Sequence, residues 1–407
     1  MRSPLDPTLF DLDPDRLWVM HCAEGPVPRA AVDALRAFLG KELRPWEMDF
    51  QTDFLGLPAL VRAEAAALIG ANEADLSITA NTSTGLETVA QGYPWEPGDE
   101  VVAPLGEFPS NAWPWLGLAG RGVGFREVRL WEGHRGGAEA WASTPPTAAD
   151  APEARLLTAL GPRTRILALS WVRFQDGLKL DLSRLGEGCR AKGVHLVVDG
   201  IQGAGTHVPD LRFASAFATG GHKGLLTPQG IGFLWTEEAF RLQLHPMGTW
   251  LSVEDGSNFQ RPSTDFRREF VKDGRRLEAG GYPGLACCGF LESLRCLNRA
   301  GVPRIADHVT ALQAELLEGL RHQPVWAAEA ERLDGLLAAG RLGPILGLHH
   351  QGRGPDFLHE LLKAGLQRGI HASVREGYLR IAFHGFHGAG DVERILAWLG
   401  AISGTAS

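Results

Sequence analysis

Apolar positions along this chain fall into two alternating textures. From residue 60 onward, segments of helical composition (VRAEAAALIG, LETVAQGY, LGEGCRAKG) are interleaved with short β-rich runs (LSITA, EVVAP, RILALSWV, HLVVDG, GIGFLW). That alternation predicts an α/β architecture, a mainly parallel sheet with helices on both faces. After about residue 270 the texture changes. Helix-like ACCGFLESLRCLNRAG and HVTALQAELLEGLRHQ lead to a tail containing PILGLHH, FLHELLKAG and YLRIAF, which reads as a smaller α+β lobe. The expected division is therefore a large domain over 21–269, a small C-terminal domain over 270–407, and an N-terminal segment, 1–20, packing with the small domain.

Two stretches interrupt the pattern. STPPTAADAPEA, from Ser143 to Ala154, is short and flanked closely by regular runs, so it reads as a surface loop rather than a linker. GSNFQRPSTDFRREF, from Gly256 to Phe270, is polar and loop-like, either a mobile active-site segment or an exposed connection.

Composition narrows the function. A net charge of -8 over 407 residues argues against general binding to nucleic acid or anionic membrane. No run approaches the roughly 18 apolar residues needed to span a bilayer. The acidic, proline-broken start MRSPLDPTLFDLDPDRLW is unlike a signal peptide, so a cytoplasmic location is expected. Cys22, Cys189, Cys287, Cys288 and Cys296 are odd in number and nowhere spaced as CxxC, which fits a reducing compartment and supplies no zinc signature. His384 and His387 in HGFH are the nearest approach to a metal pair; without a third ligand they read as loop histidines, and no metal is expected.

The segment that carries chemistry is HLVVDGIQGAGTHVPDLRFASAFATGGHKGLL. An apolar strand ends in Asp199, a Gly/Gln turn follows, and after a second apolar run Lys223 stands between His222 and Gly224. Ligands in open α/β sheets bind at the carboxyl ends of the strands, so Asp199 and Lys223 can face one pocket. Pyridoxal 5'-phosphate (PLP) needs that pair. A lysine condenses with the cofactor aldehyde, while a carboxylate keeps the pyridine nitrogen protonated and the ring able to accept electrons. Each residue alone has an ordinary alternative, a surface lysine and a turn aspartate. Upstream, SITANTSTGLETVA sets Thr82, Ser83 and Thr84 where a strand meets a helix, a place suited to phosphate as well as to simple capping.

Taken together these residues resemble the class V aminotransferase superfamily, the fold-type-I PLP group that includes cysteine desulfurases, kynureninase and isopenicillin-epimerase-like enzymes; the resemblance runs from about residue 18 to 400. It implies a large domain built on a seven-stranded, mainly parallel sheet, a smaller α+β domain and a homodimer. Lys223 would carry the cofactor as a Schiff base, Asp199 would pair with the pyridinium nitrogen, Gln202 would donate to the phenolic oxygen, and His222 would lie beside the ring. Thr82 and Ser83 would form the phosphate cup, with Thr84 a weaker candidate. In GEFPSNAWPW the resemblance puts Phe108 over the cofactor face, where desulfurases place histidine and kynureninase-like relatives phenylalanine; a core aromatic is the alternative. MHCAEGPVP is similar to the family's Asn/His-x-x-x-Gly-Pro-x-Pro entry and implies His21 at the substrate mouth. SVREGYLRIAFHGFHGAGDVERIL is similar to its Arg-x-Ser…Tyr-Asn-x-x-x-Asp-Ile pattern, with Ala382, Phe386 and His387 departing from it. Arg380 would grip a substrate carboxylate with its planar fork, and Arg375 is a second candidate.

Two departures bear on the phosphate. Gly220-Gly221-His222-Lys223 replaces the usual Ser-x-His-Lys, leaving Thr219 as a substitute, and Gly281 in LEAGGYPG stands where relatives have the threonine that reaches a partner's phosphate. The expected activity is transamination of an amino-acid-like small molecule. A PLP-dependent lyase or epimerase is the alternative, and a PLP-binding protein with little catalysis is the rival outside enzymes. A desulfurase working through a persulfide is not expected, because GIHASVREGYLR, the stretch before Arg380, has no cysteine; Cys22 alone is near the expected mouth.

Overall fold

The computed structural model describes residues 2–350 and 355–401. Twelve strands occur among them: β1 (Leu17–Trp18), β2 (Leu76–Thr79), β3 (Glu100–Pro104), β4 (Gly124–Val128), β5 (Thr164–Ser170), β6 (His195–Asp199), β7 (Ala216–Gly220), β8 (Gly232–Thr236), β9 (Ile345–Leu348), β10 (Ile370–His371), β11 (Ser373–Arg375) and β12 (Tyr378–Ala382). Seven of them form one sheet in the order β2-β8-β7-β6-β5-β3-β4. It is parallel from β7 to β4, and β8 runs antiparallel to both β7 and β2. The expected seven-stranded, mainly parallel sheet is thus present. Its central strands are buried almost throughout, because helices cover both faces, and that is why they read as near-continuous apolar runs.

Side-chain caps fix the start of two helices beside the sheet. Asn81 accepts from the Thr84 N–H to open the helix Thr82–Gly92, and Asp181 does the same for Leu182–Ala191 through Arg184. The long helix Gly284–Ala300 packs against Arg29–Glu42 and Leu57–Ile69. Its glycines are close-approach residues: a Cβ on Gly284 would stand 2.6 Å from the Phe38 ring.

Beyond it, Val302–Arg321 and Ala327–Ala338 lead into an antiparallel sheet of order β11-β12-β9. The N-terminal segment joins this part of the molecule. β1 runs parallel to β10, Leu5 N–H donates to Gly385 O at 3.0 Å, and Ser3 Oγ donates to His387 O at 2.8 Å. Residues 256–270 contain no helix or strand of their own. Among the described residues no helix is long and apolar enough to cross a membrane.

Candidate active site

Four parallel strands, β3, β5, β6 and β7, point their carboxyl ends at one crevice, and the chain's chemistry is concentrated there. A cavity of about 270 Å³ opens at this edge, lined by Asn81, Thr82 and Ser83, by Phe108 and Ser110, by Asp199 and Gln202, by His222 and Lys223, and by Arg375 and Arg380. Cys22, Ala23, Phe174 and Ile201 complete the wall. Nine of the sequence-predicted residues therefore converge from segments as far apart as Thr82 and Arg380.

Lys223 is 8% exposed, and its amine makes no hydrogen bond among the described residues. Nζ stands 5.4 Å from the centroid of the Phe108 ring. Burial holds this amine below its ordinary range, and Asp199 opposes that by favouring the charged form. Asp199 ends β6, and its carboxylate accepts from the Ile201 N–H at 3.0 Å. Desolvation raises it to about 6, against the lowering effect of that bond and of Lys223. His222 is held down by burial and then by the neighbouring lysine. Gln202 spends one amide N–H on Cys22 O at 3.1 Å and keeps the other.

At the opposite end, the helix Thr82–Gly92 presents its first turn to the cavity, and the Asn81 cap occupies only the Thr84 N–H and hydroxyl. Thr84 thus belongs to the cap and does not line the cavity. Thr82 Oγ1 accepts from Gly220 N–H at 2.8 Å, and Ser83 Oγ donates to Ser110 Oγ at 2.8 Å. Gly220, at the position the resemblance gives to serine, fastens its backbone to the same helix start. Thr219, the substitute considered for that serine, is fully buried and bonded to Gly220 O, so it does not reach the cavity; Ser110 does.

Arg380 is 3% exposed, held by Nε donating to Ser373 Oγ at 3.0 Å and Nη1 to Phe174 O at 2.8 Å. Nη2 and the second Nη1 hydrogen remain open for a carboxylate. Arg375 is exposed at the rim.

One expectation is corrected. His21 does not line the mouth. It lies beneath it, 1% exposed, edge-on to His384 at 5.1 Å, and the wall position falls to its neighbours Cys22 and Ala23. The chain turns here, with Ala23 N–H and Glu24 N–H both donating to Met20 O, and the turn sends the adjacent side chains of His21 and Cys22 to different sides.

Sequence reasoning also missed Glu107. Its carboxylate accepts from Ser170 N–H at 2.8 Å and Ser170 Oγ at 2.5 Å. Ser170 stands opposite Asp199 in the β5/β6 register, so Glu107 is bonded to the strand residue next to Asp199. Burial raises Glu107 to about 7, while Ser170 pulls it down and Asp199 adds to the rise. Its position just before Phe108, in the loop that follows β3, was the one signal available.

The family model described as aminotransferase class-V matches residues 27–338. The chain belongs to the class V aminotransferase family. It is 31% identical over 262 residues to a probable cysteine desulfurase of Methanothermobacter thermautotrophicus, a match covering 63% of this chain but 59% of that protein. It is 29% identical to the isopenicillin N epimerase of Streptomyces clavuligerus over 84% of this chain and 83% of the relative. The solved complex of a cystine C–S lyase, C-DES, with its product cysteine persulfide superposes with a TM-score of 0.79 at 21% identity, covering 95% of this chain and 98% of that one; at that identity the likeness is one of fold.

PLP is the cofactor of this family, and the residues present fit it. The cavity offers a buried amine without a hydrogen-bond partner, a strand-terminal carboxylate, a ring that can stack, and a helix start flanked by hydroxyls that suits a phosphate.

Proposed function

We propose that this protein is a PLP-dependent epimerase, which removes the α-proton of a small amino-acid substrate from one face of Cα and restores a proton to the other. The observation that carries the reading is the placement of Lys223, buried, unpartnered and depressed in basicity, in one cavity with Asp199 and Arg380. Transamination, the first expectation from sequence, is supported less well than its alternative. The named relatives are desulfurases and epimerases, and the epimerase match runs along most of the chain.

Bound PLP supplies an electron sink for the charge left at the substrate Cα. Arg380 holds the substrate carboxylate through its open edge and so fixes which Cα bond faces the lysine. Lys223 takes that proton at Nζ, and burial makes it a free base nearer neutrality than a surface lysine. Asp199 would keep a negative charge near the pyridine nitrogen of bound PLP, His222 and Gln202 would lie beside the ring, and Phe108 would shield it from water. Thr82 and Ser83, with Ser110, are assigned to the phosphate, and Arg375 to the outer part of the substrate.

A second reading, β-elimination from a sulfur-containing amino acid, has one observation in its favour: Cys22 lines the same cavity. The large and small domains divided near residue 270, a homodimeric assembly and a cytoplasmic location complete the proposal.

Borohydride reduction followed by peptide mapping should find the cofactor on Lys223. Incubation with candidate amino acids in D₂O should then give α-deuterium and interconversion of the two Cα configurations without keto acid. Keto-acid formation with loss of the amino group to the cofactor would establish transamination instead. Release of ammonia with sulfide, or a persulfide on Cys22 by intact mass, would establish the lyase, and an adduct on another lysine would overturn the assignment of the site.

A further inference from the structure

We infer that His384 is a positioning residue that holds the Lys223 loop in place and ties it to the strand carrying Arg380. The inference rests on reading Lys223 as the cofactor lysine.

After β7 the chain turns through residues 221–227, and three of its carbonyls are gripped from three different places. His222 O accepts from Gly25 N–H at 2.7 Å, Leu226 O from Ser293 Oγ at 2.8 Å, and Gly224 O from His384 Nε2 at 2.9 Å. Only the last comes from the segment leaving β12, four residues beyond Arg380. The group that would hold the substrate and the group that would move its proton are thus joined through one imidazole.

The tautomer of that imidazole is set by its second bond. Nδ1 accepts from Gly385 N–H at 2.7 Å, so Nε2 carries the hydrogen and donates to Gly224 O. His384 is completely buried, and desolvation holds it near 3, which keeps the ring neutral. Its surroundings leave it no other orientation. His21 packs edge-on against it, its own N–H donates to His387 Nδ1 at 2.9 Å, and His387 is fixed in turn by contacts to Trp18 O at 2.9 Å and from His308 Nε2 to its carbonyl at 2.8 Å.

The lysine loop has as little room. A Cβ at Gly224 would lie 2.2 Å from Ala204 O, and one at Gly25 would lie 2.3 Å from Lys223 O. Without His384 the Gly224 carbonyl is buried with no donor, a state that drives the peptide to turn toward another. Turning it shifts the adjoining Lys223, and a displacement of about 1 Å at a reacting group costs on the order of 10²-fold in rate.

The test compares His384→Phe, which keeps a buried ring but no donor, with His384→Gln, whose amide can still donate. Both are assayed for folding by thermal melt and for cofactor on Lys223 by borohydride mapping. In His384→Phe, kcat should fall roughly ten- to hundred-fold with KM within about threefold, and the pH at which the cofactor band titrates should move. His384→Gln should recover most of both. In cofactor-free protein, the rate of Lys223 acetylation by mass spectrometry should change in the Phe variant and return toward wild type in the Gln variant. Unchanged kcat, band titration and acetylation in a folded His384→Phe protein would overturn the inference. If neither variant folds, ¹⁵N spectra of the wild type decide it, since His384 must show a neutral Nε2–H ring that does not titrate between about pH 5 and 8. A titrating or Nδ1–H ring overturns it. Failure to find cofactor on Lys223 in wild type defeats the underlying reading instead, and the two failures are distinct.

Discussion

Replacing Glu107 by glutamine should remove a pH-dependent penalty that the folded wild type carries. The carboxyl is raised from 4.5 to about 7, chiefly by burial, so the folded state binds its proton more tightly than the unfolded chain does. Stability from this group is therefore complete below about pH 4.5 and is lost as pH rises through 7. The difference between those two values corresponds to roughly 3 kcal/mol against the ionised form. Because Glu107 retains intermediate exposure, solvent relaxes part of that, and about 2 kcal/mol is the expected magnitude. Glutamine preserves the geometry, with its carbonyl accepting from Ser170 N–H and its amide donating to Ser170 Oγ. The assay is urea unfolding of both proteins, cofactor-free, from pH 4.5 to 8. Buried His134, His207 and His384, pushed down to about 3, add stability as pH rises, but they are common to both proteins and cancel. Wild type should lose about 2 kcal/mol relative to Glu107→Gln across this range. Parallel profiles would refute the reasoning and show that Glu107 ionises as an ordinary carboxylate.

Further outcomes follow from the same geometry. Asp199→Asn keeps shape but loses the charge proposed to face the pyridine nitrogen, so turnover should fall on the order of 10²-fold while cofactor occupancy, read at its absorbance band, changes little; wild-type rates would make Asp199 a structural turn residue. Arg380→Lys loses the planar fork and its bonds to Ser373 and Phe174, and KM for carboxylate substrates should rise roughly ten- to hundred-fold; an unchanged KM removes Arg380 from the site. Glu278, 2% exposed, accepts from Arg62 at 2.9 Å, Ile78 N–H at 2.8 Å and Tyr282 OH at 2.7 Å. Glu278→Ala strands all three donors and should cost about 3–5 kcal/mol in denaturant unfolding, and an unchanged midpoint would show the cluster to be dispensable.

The parts of this protein that its sequence determined are those set by local physics. Doubly covered strands must be apolar along their length, and helices need polar caps, so β5, β6 and β7 and the start at Asn81 were legible without a fold. The same logic marked Asp199 and Lys223, since a charged residue at the end of an apolar strand is conspicuous. What escaped was a set of particular contacts between segments distant in the chain. The expectation for His21 failed because the pattern around it does not say which of two adjacent side chains faces the cavity; the pairing of β1 with β10 and the bridge from Met20 to Ala382 place Cys22 there instead. Ser110 in place of Thr219 depends on how the loop after β3 lies over the helix Thr82–Gly92. Glu107 reaches Ser170, beside Asp199, only because the sheet order puts β3, β5 and β6 side by side, and His384 meets Gly224 only because the segment after β12 folds back to the lysine loop. Hydrophobic period reports whether a residue is buried, whereas the identity of its neighbour is set by strand order and packing, and those are properties of the whole folded chain.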